Sequence, residues 1–351
     1  MALLFFSFHD PKPSPSLTRP MMLLLLLPAI VAVAAAAAAR IPSIGASPPL
    51  PFIVLHGISD ECKHSGLTQF TQLLSEFSGA SGFCIEIGNG ASDSWFMPLT
   101  KQAENVCEQV KALPELQAGY NIVGLSQGNV IGRGVIEWCD EGPQVFNMVS
   151  LGGPHAGIAS VPLCTVLSIC ALADVIMEMG GIYSTFAQNH FAPSGYMKIP
   201  TDLTAYYEGC AFLPKLNNEI PTSRNSSFKE RFSKLNHLVL VKFENDTVLV
   251  PPETAWFGYF SPNATNSVLS FEEVTSIITD LYKEDWIGLK VLKEKGGLTF
   301  LSFAGNHLTI TKEQLQYQIA PYLTASSSPG IEPYSAKMRG FKGDSNLKLS
   351  R

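Results

Sequence analysis

Tyr120-Asn121-Ile122-Val123 runs directly into Gly124-Leu125-Ser126-Gln127-Gly128, and a helical pattern follows from Asn129-Val130-Ile131 to Trp138. A strand, a sharp turn and a helix must therefore succeed one another around a single serine. This is the layout of a nucleophile elbow. The two glycines let the chain turn tightly enough to project the Ser126 hydroxyl from a sheet edge, at a helix N-terminus where a developing negative charge is favoured. The pentapeptide alone is weak evidence, because short Gly/Ser motifs recur by chance. Its neighbours along the chain carry the rest.

Those neighbours repeat the strand-to-helix alternation. Pro51-Phe52-Ile53-Val54-Leu55 reads as a short strand ending in His56-Gly57-Ile58-Ser59-Asp60, and helical spacing follows through Leu67, Phe70, Leu73, Leu74 and Phe77. A second strand spans Phe83 to Ile87, a helix lies around Val106 to Leu113, and Asn147 to Leu151 is a strand closed by Gly152-Gly153-Pro154. Short apolar strands alternating with amphipathic helices imply an α/β fold with a mostly parallel central sheet flanked by helices. Then the pattern stops. About eighty residues separate Pro154 from the next obvious strand, Leu238 to Phe243, far more than an ordinary crossover needs. This stretch, about 155–237, is rich in aromatics (Tyr183, Phe186, Phe191, Tyr196, Tyr206) and reads as an inserted, mainly helical cap. Most of its rings should pack the cap onto the sheet. Some should face the elbow, since an insertion here lies over the C-terminal strand edge where ligands bind in such sheets. A last strand, Leu298 to Phe303, leads to Ala304-Gly305-Asn306-His307 and a helix from about Thr311 to Tyr322.

The ends of the chain differ from this core. Arg19 precedes the apolar stretch Met21 to Ala39, which closes on Ala37-Ala38-Ala39 before Arg40. A basic flank, an apolar core and a small-residue exit describe a secretory signal peptide over 1–39, followed by a short linker over 40–50. The same stretch is long enough to span a bilayer as an uncleaved anchor, but the alanine-rich exit favours cleavage and a mature chain with no stable membrane span. The α/β core would occupy 51–324, and residues 325–351, rich in Ser, Pro, Gly and Lys, read as a disordered tail without catalytic duty. With 46% hydrophobic and 15% charged residues the 351-residue chain is globular, and its net charge of −6 argues against a nucleic-acid partner. Seven cysteines without a CxxC pair make metal and redox roles poor readings, so no metal and no cofactor are expected. In an oxidising compartment they would form disulfides, with at least one thiol left over. Sequons begin at Asn225, Asn245 and Asn263. Asn225 and Asn263 are the glycosylation candidates; a glycan on Asn245 would crowd the acid proposed beside it.

A serine alkoxide needs a base, and the base needs an orienting acid. In the chain order that follows such an elbow, acid and then histidine come after the serine. Val239 to Phe243 ends at Glu244-Asn245-Asp246, and the last strand ends just before His307. Both loops belong at the sheet edge that carries Ser126. His307 would take the serine proton and return one to the leaving group, while Asp246 would hold the imidazole tautomer; Glu244 is the alternative acid. His237 precedes its strand and so lies at the opposite edge, whereas His155, in its turn, could line the site. The oxyanion would be met by the backbone N–H groups of Gln127, directly after the nucleophile, and of Ile58 in the first-strand loop.

Five ordered blocks then resemble a known family. They are Leu55-His56-Gly57-Ile58-Ser59-Asp60, Gly119-Tyr120-Asn121 with the elbow, Val149 to Gly157, Val241 to Asp246, and Trp256-Phe257-Gly258-Tyr259. Together they resemble palmitoyl-protein thioesterases over about residues 50–324. The resemblance implies an α/β-hydrolase fold, with Ser126, Asp246 and His307 matching the family's triad. It also implies disulfides Cys107–Cys139 and Cys164–Cys170. One departure is clear: Cys62 is followed by Lys63 where animal members have adjacent cysteines, and Cys84 and Cys210 gain no partner from the resemblance. The implied activity is removal of long-chain acyl groups from S-acylated proteins or peptides by a monomeric enzyme of the secretory pathway, in a lysosome or vacuole or outside the cell. The same parts would cleave an oxygen ester of a lipid, and an inactive fold that only binds acyl chains is a further, weaker reading.

Overall fold

The computed structural model describes residues 48–159, 180–261, 268–269 and 280–324. The signal-peptide stretch, Cys164 and Cys170, Asn263 and the C-terminal tail lie outside the described residues.

Eight strands are described: β1 (Phe52–Leu55), β2 (Gly82–Ile85), β3 (Tyr120–Leu125), β4 (Val145–Leu151), β5 (His237–Phe243), β6 (Tyr259–Phe260), β7 (Val268–Leu269) and β8 (Leu298–Phe303). Six of them form one sheet in the order β2-β1-β3-β4-β5-β8, while β6 and β7 make a small separate ribbon. Every neighbouring pair in the large sheet is parallel. Parallel neighbours can be joined only by crossovers, so all the strand C-termini gather at one edge. The loops that follow β1, β3, β5 and β8 therefore meet there by topology alone.

Strands buried on both faces read as apolar runs, and their alternate side chains feed two cores. Phe52, Val54, Val123, Val149 and Val241 face α1 (Ser65–Ser78) and the C-terminal helical segment. Ile53, Leu55, Ile122, Met148 and Leu240 face the opposite core, shared with α3 (Leu99–Ala112) and α4 (Gly128–Trp138). Each fully buried aliphatic or aromatic side chain of this kind contributes about 1.5–3 kcal/mol. The four-residue α2 (Asp93–Phe96) precedes α3. Between β4 and β5 the described chain forms α5 (Thr185–His190), α6 (Leu203–Gly209), α7 (Leu213–Leu216) and α8 (Ser226–Ser233). Phe212, Leu213, Leu216 and Phe232 join this segment to the core on the α4 side of the sheet. Among the described residues no helix is long and apolar enough to cross a membrane.

Three boundaries differ from the sequence expectation. Strand β2 ends at Ile85, two residues early. Helix α3 begins at Leu99, because its inward face includes the polar Gln102 beside Ala103, Val106 and Val110. The C-terminal segment starts with a capping box between Thr311 and Gln314, then winds as a π-helix over Leu315–Ile319 and a 3-10 helix over Ala320–Leu323. Leu315, Ile319 and Leu323 keep the inward spacing expected of a helix. Pro321 has no N–H to continue an α-helical ladder, so the winding changes while the buried stripe persists.

Candidate active site

Ser126 sits between β3 and α4 with a left-handed backbone, φ 52°, which a non-glycine residue adopts only when its surroundings hold it there. Its N–H donates to the Leu151 carbonyl (2.9 Å), and the Asn129 side chain donates to the carbonyls of Ser126 (3.0 Å) and Leu151 (2.9 Å). The flanking glycines act through close approach: a Cβ on Gly124 would lie 2.2 Å from Asn129 Oδ1, and one on Gly128 2.3 Å from the Leu55 carbonyl. The unusual backbone angle belongs to the serine itself. The glycines let the neighbouring chain close around it.

The expected acid, Asp246, and His307 lie in the loops after β5 and β8. Asp246 Oδ2 accepts a 2.6 Å hydrogen bond from His307 Nδ1, while its Oδ1 accepts the N–H groups of Val248 (2.8 Å) and Leu249 (2.9 Å). Because Nδ1 is the donor, the neutral ring keeps its lone pair on Nε2. That Nε2 is buried and, among the described residues, has no hydrogen-bond partner. Asn306 ties the two loops together: its Oδ1 accepts from the His307 N–H (2.7 Å) and from both the N–H and the hydroxyl of Thr247. Gly152, at φ 58°, makes room for the ring, since a Cβ there would stand 3.0 Å from His307 Cε1. The alternative acid, Glu244, is exposed and accepts from the Ser302 hydroxyl instead (3.1 Å).

The first-strand loop passes over the serine, and a Cβ on Gly57 would lie 3.1 Å from Ser126 Cβ. His56 is fully buried and holds this loop, with Nδ1 2.9 Å from the Gly57 carbonyl and Nε2 2.9 Å from Glu86 Oε1. Burial opposes the Glu86 charge, but hydrogen bonds from His56 and the Cys62 N–H outweigh it and hold the carboxyl below its ordinary range. Gln127 caps α4, and its buried side chain is committed: Nε2 donates to the Ser94 carbonyl (2.8 Å) and Gln102 Oε1 (3.2 Å), and Oε1 accepts from the Tyr196 hydroxyl (3.1 Å). Among the described residues, the Ile58 and Gln127 amides have no protein acceptor.

The family model for palmitoyl protein thioesterase matches residues 51–307, from the start of β1 through His307. The chain belongs to the palmitoyl protein thioesterase family. Palmitoyl-protein thioesterase 1 of Caenorhabditis elegans is 31% identical over 77% of this chain and 90% of its own length. Palmitoyl-protein thioesterase 3 of Dictyostelium discoideum is 31% identical over 71% of this chain and 81% of its own. Among solved structures, a Paleococcus ferrophilus monoacylglycerol lipase is 14% identical, covering 79% of this chain and 96% of its own with a TM-score of 0.41. This thioesterase-family chain has the α/β-hydrolase fold, and it is a hydrolase.

Other parts of the thioesterase-family chain were less legible. His155 is tied to Ser150 rather than to Ser126. It is fully buried, bonded through Nε2 to the Ser150 hydroxyl (2.8 Å) and stacked 4.6 Å from the Phe257 ring. Burial, aided by the nearby Arg133 charge, pushes its pKa well below the usual range, so the ring is neutral packing beneath the Gly152 turn. His237 opens β5 at the opposite edge, as its position before the strand implied. Arg133 and Glu137, four residues apart on α4, form a fully buried ion pair at 2.9 Å. Arg133 also donates to Asn217 Oδ1 (2.8 Å) and the Leu216 carbonyl (3.2 Å), which fastens α4 to the inserted segment. Opposite charges at helical i,i+4 spacing within an otherwise apolar helix were the available signal.

The implied Cys107–Cys139 disulfide is present, and Cys62 pairs with Cys84, which the resemblance left without a partner. Cys210 is a free, buried thiol whose pKa burial pushes up to about 12, so it is inert. Asn225 is exposed at the N-cap of α8, where its side chain accepts from the N–H and hydroxyl of Ser227.

Proposed function

We propose that the protein removes long-chain acyl groups from S-acylated cysteines of proteins or peptides through an acyl-enzyme on Ser126. The observation that carries this reading is the 2.6 Å Asp246–His307 bond at the elbow's sheet edge, within a chain that matches palmitoyl protein thioesterase over residues 51–307. Ser126 Oγ attacks the thioester carbonyl as His307 Nε2 takes its proton. The carbonyl oxygen becomes an oxyanion facing the Ile58 and Gln127 amides. The C–S bond then breaks, and His307 returns the proton to the departing sulfur. Water, deprotonated by the same nitrogen, attacks the Ser126 ester; the acyl C–O bond breaks, His307 returns the proton to Ser126 Oγ, and the fatty acid leaves. Each methylene buried contributes about 0.8 kcal/mol, so a long tail would supply much of the binding, with the aromatic insertion as the groove wall.

The destination proposed is the secretory pathway, in a lysosome or vacuole or outside the cell. Relatives in frog and rat are named lysosomal thioesterases, and two disulfides fit an oxidising compartment. Glycans at Asn225 and Asn263 and a monomeric state belong to the same reading. Hydrolysis of matched acyl-thioester and acyl-oxyester substrates, beside a Ser126→Ala control, tests the proposal. Faster thioester cleavage that Ser126→Ala abolishes is expected. Faster oxyester cleavage with no action on acylated peptides would make the protein a lipid or carboxyl ester hydrolase. Failure of a fluorophosphonate probe to label Ser126 in the folded protein would leave an inactive acyl-chain binder.

A further inference from the structure

The two amides proposed to meet the oxyanion lie on separate pieces of chain, one after β1 and one opening α4. A pair of donors works only if the distance between them is fixed before the substrate arrives. Ser94, on α2, touches both pieces. Its hydroxyl accepts the N–H of Ser59 (2.8 Å), the residue directly after Ile58, and donates to the Ala91 carbonyl (2.7 Å). Its carbonyl accepts Gln127 Nε2 (2.8 Å). Ser94 is completely buried and every one of these bonds is internal to the protein.

Two further observations show that the frame is held under constraint. Ser59 has a left-handed backbone, φ 65°, without being glycine, and its hydroxyl accepts the indole N–H of Trp95 (2.5 Å). Consecutive residues of α2 thus grip the N–H and the side chain of the residue next to Ile58. On the far side, the Tyr196 hydroxyl from the inserted segment donates to Gln127 Oε1 (3.1 Å), so the glutamine is pulled from opposite directions.

We propose that Ser94 is a positioning residue for the reaction, setting the spacing of the Ile58 and Gln127 amides, with Tyr196 locking Gln127 from the inserted segment. The inference rests on the thioester-hydrolase reading above and on the assignment of the oxyanion to these two amides. Ser94 never touches the substrate; it acts through Ser59 and Gln127. Misplacing a reacting group by about 1 Å costs on the order of 100-fold in rate, and losing one oxyanion donor about 100- to 1,000-fold. Removing the Ser94 hydroxyl loosens one donor without deleting it, so the smaller end of that range applies.

The test uses the full chain, a long-chain acyl-cysteine peptide as substrate, and two inhibitors of equal chain length. An alkyl trifluoromethyl ketone adds Ser126 Oγ to its carbonyl and places an oxyanion in the hole; a non-hydrolysable thioether only fills the groove. Ser94→Ala is expected to lower kcat about 10- to 100-fold, with KM within about threefold. It should weaken the ketone by a similar factor and leave the thioether unchanged. Ser94→Thr, which restores a hydroxyl, should recover most of the loss. Tyr196→Phe and Trp95→Phe should each lower kcat about three- to tenfold in the same pattern, and they decide the matter if Ser94→Ala does not fold. Folded variants with wild-type kcat and ketone affinity would overturn the proposal, as would equal weakening of ketone and thioether. If Ser126→Ala still hydrolyses the peptide, the functional reading itself fails; if it is inactive while the positioning variants match wild type, only this inference does.

Discussion

The Asp246 carboxylate accepts three hydrogen bonds, two from the main chain of its own loop and one from His307. The main-chain pair fixes the carboxyl plane, and the remaining oxygen is left for the imidazole. Asp246→Asn keeps the shape but presents an amide N–H to Nδ1, which forces the proton onto Nε2 and removes the base. We expect kcat to fall about 10³- to 10⁴-fold in Asp246→Asn, measured on an acyl thioester, with folding intact. Glu244→Gln should change it less than twofold, because among the described residues the Glu244 carboxylate bonds to the Ser302 hydroxyl and not to His307; a large loss there would transfer the acid's role to Glu244. The placement of Asp246 and His307 was readable because each lies in a loop just after a strand, and parallel topology sends those loops to one edge. The side-chain roles of Gln127, Ser94 and His155 were not. They depend on partners such as Tyr196 and Phe257, far away in sequence, and no local pattern encodes which distant ring or hydroxyl arrives.

At the scale of elements, α4 carries the elbow at one end and the buried Arg133–Glu137 pair further along. Burial pushes the Glu137 pKa up to about 7, and Arg133 only partly offsets this. A carboxyl whose pKa is raised on folding holds its proton more tightly in the native state than in the unfolded chain. Stability from this group is therefore greatest at acid pH and falls as pH rises from about 4.5 towards 7. Because the buried, neutral His155 favours higher pH, the Glu137 contribution is read by difference: we expect Glu137→Gln to lower the unfolding free energy at pH 5 relative to pH 7.5 by on the order of 1–3 kcal/mol in denaturant titrations. An unchanged difference would mean that Glu137 stays ionised beside Arg133 throughout. Sequence periodicity found β1, α1, β3 and β8 because most of their buried residues are apolar. It shortened α3, whose inward face contains Gln102. It could not foresee the π and 3-10 winding around Pro321, since the buried stripe is the same in either geometry.

Across the whole molecule, the weakest edge of the sheet is β2, four residues long with only Ile85 fully buried. Strands this short contribute little pairing alone. The Cys62–Cys84 disulfide, closing 22 residues, fastens β2 to the loop that carries Ile58. Replacing both cysteines by serine should cost about 3 kcal/mol by loop-closure arithmetic and lower the thermal midpoint. An unaltered midpoint would show that the edge is secured by packing on α1. Sequence spacing could not find this bridge, because strand pairing of β1 with β2 is what brings the two cysteines together.

The insertion between β4 and β5 also has a topological meaning. A parallel crossover requires one helix, and α8, packed against α4 just before β5, can serve as it. The chain between β4 and α8 is thus longer than joining the strands requires, and lengthening such a loop raises its closure cost only by about 0.6 kcal/mol per doubling. It is the part of the molecule most open to divergence and to grafting. Related hydrolases could exchange it to admit different chains while the reacting atoms stay fixed. Its contacts with the core limit that freedom: a graft must still meet Arg133, as Leu216 and Asn217 do, and bring a donor to the place of Tyr196.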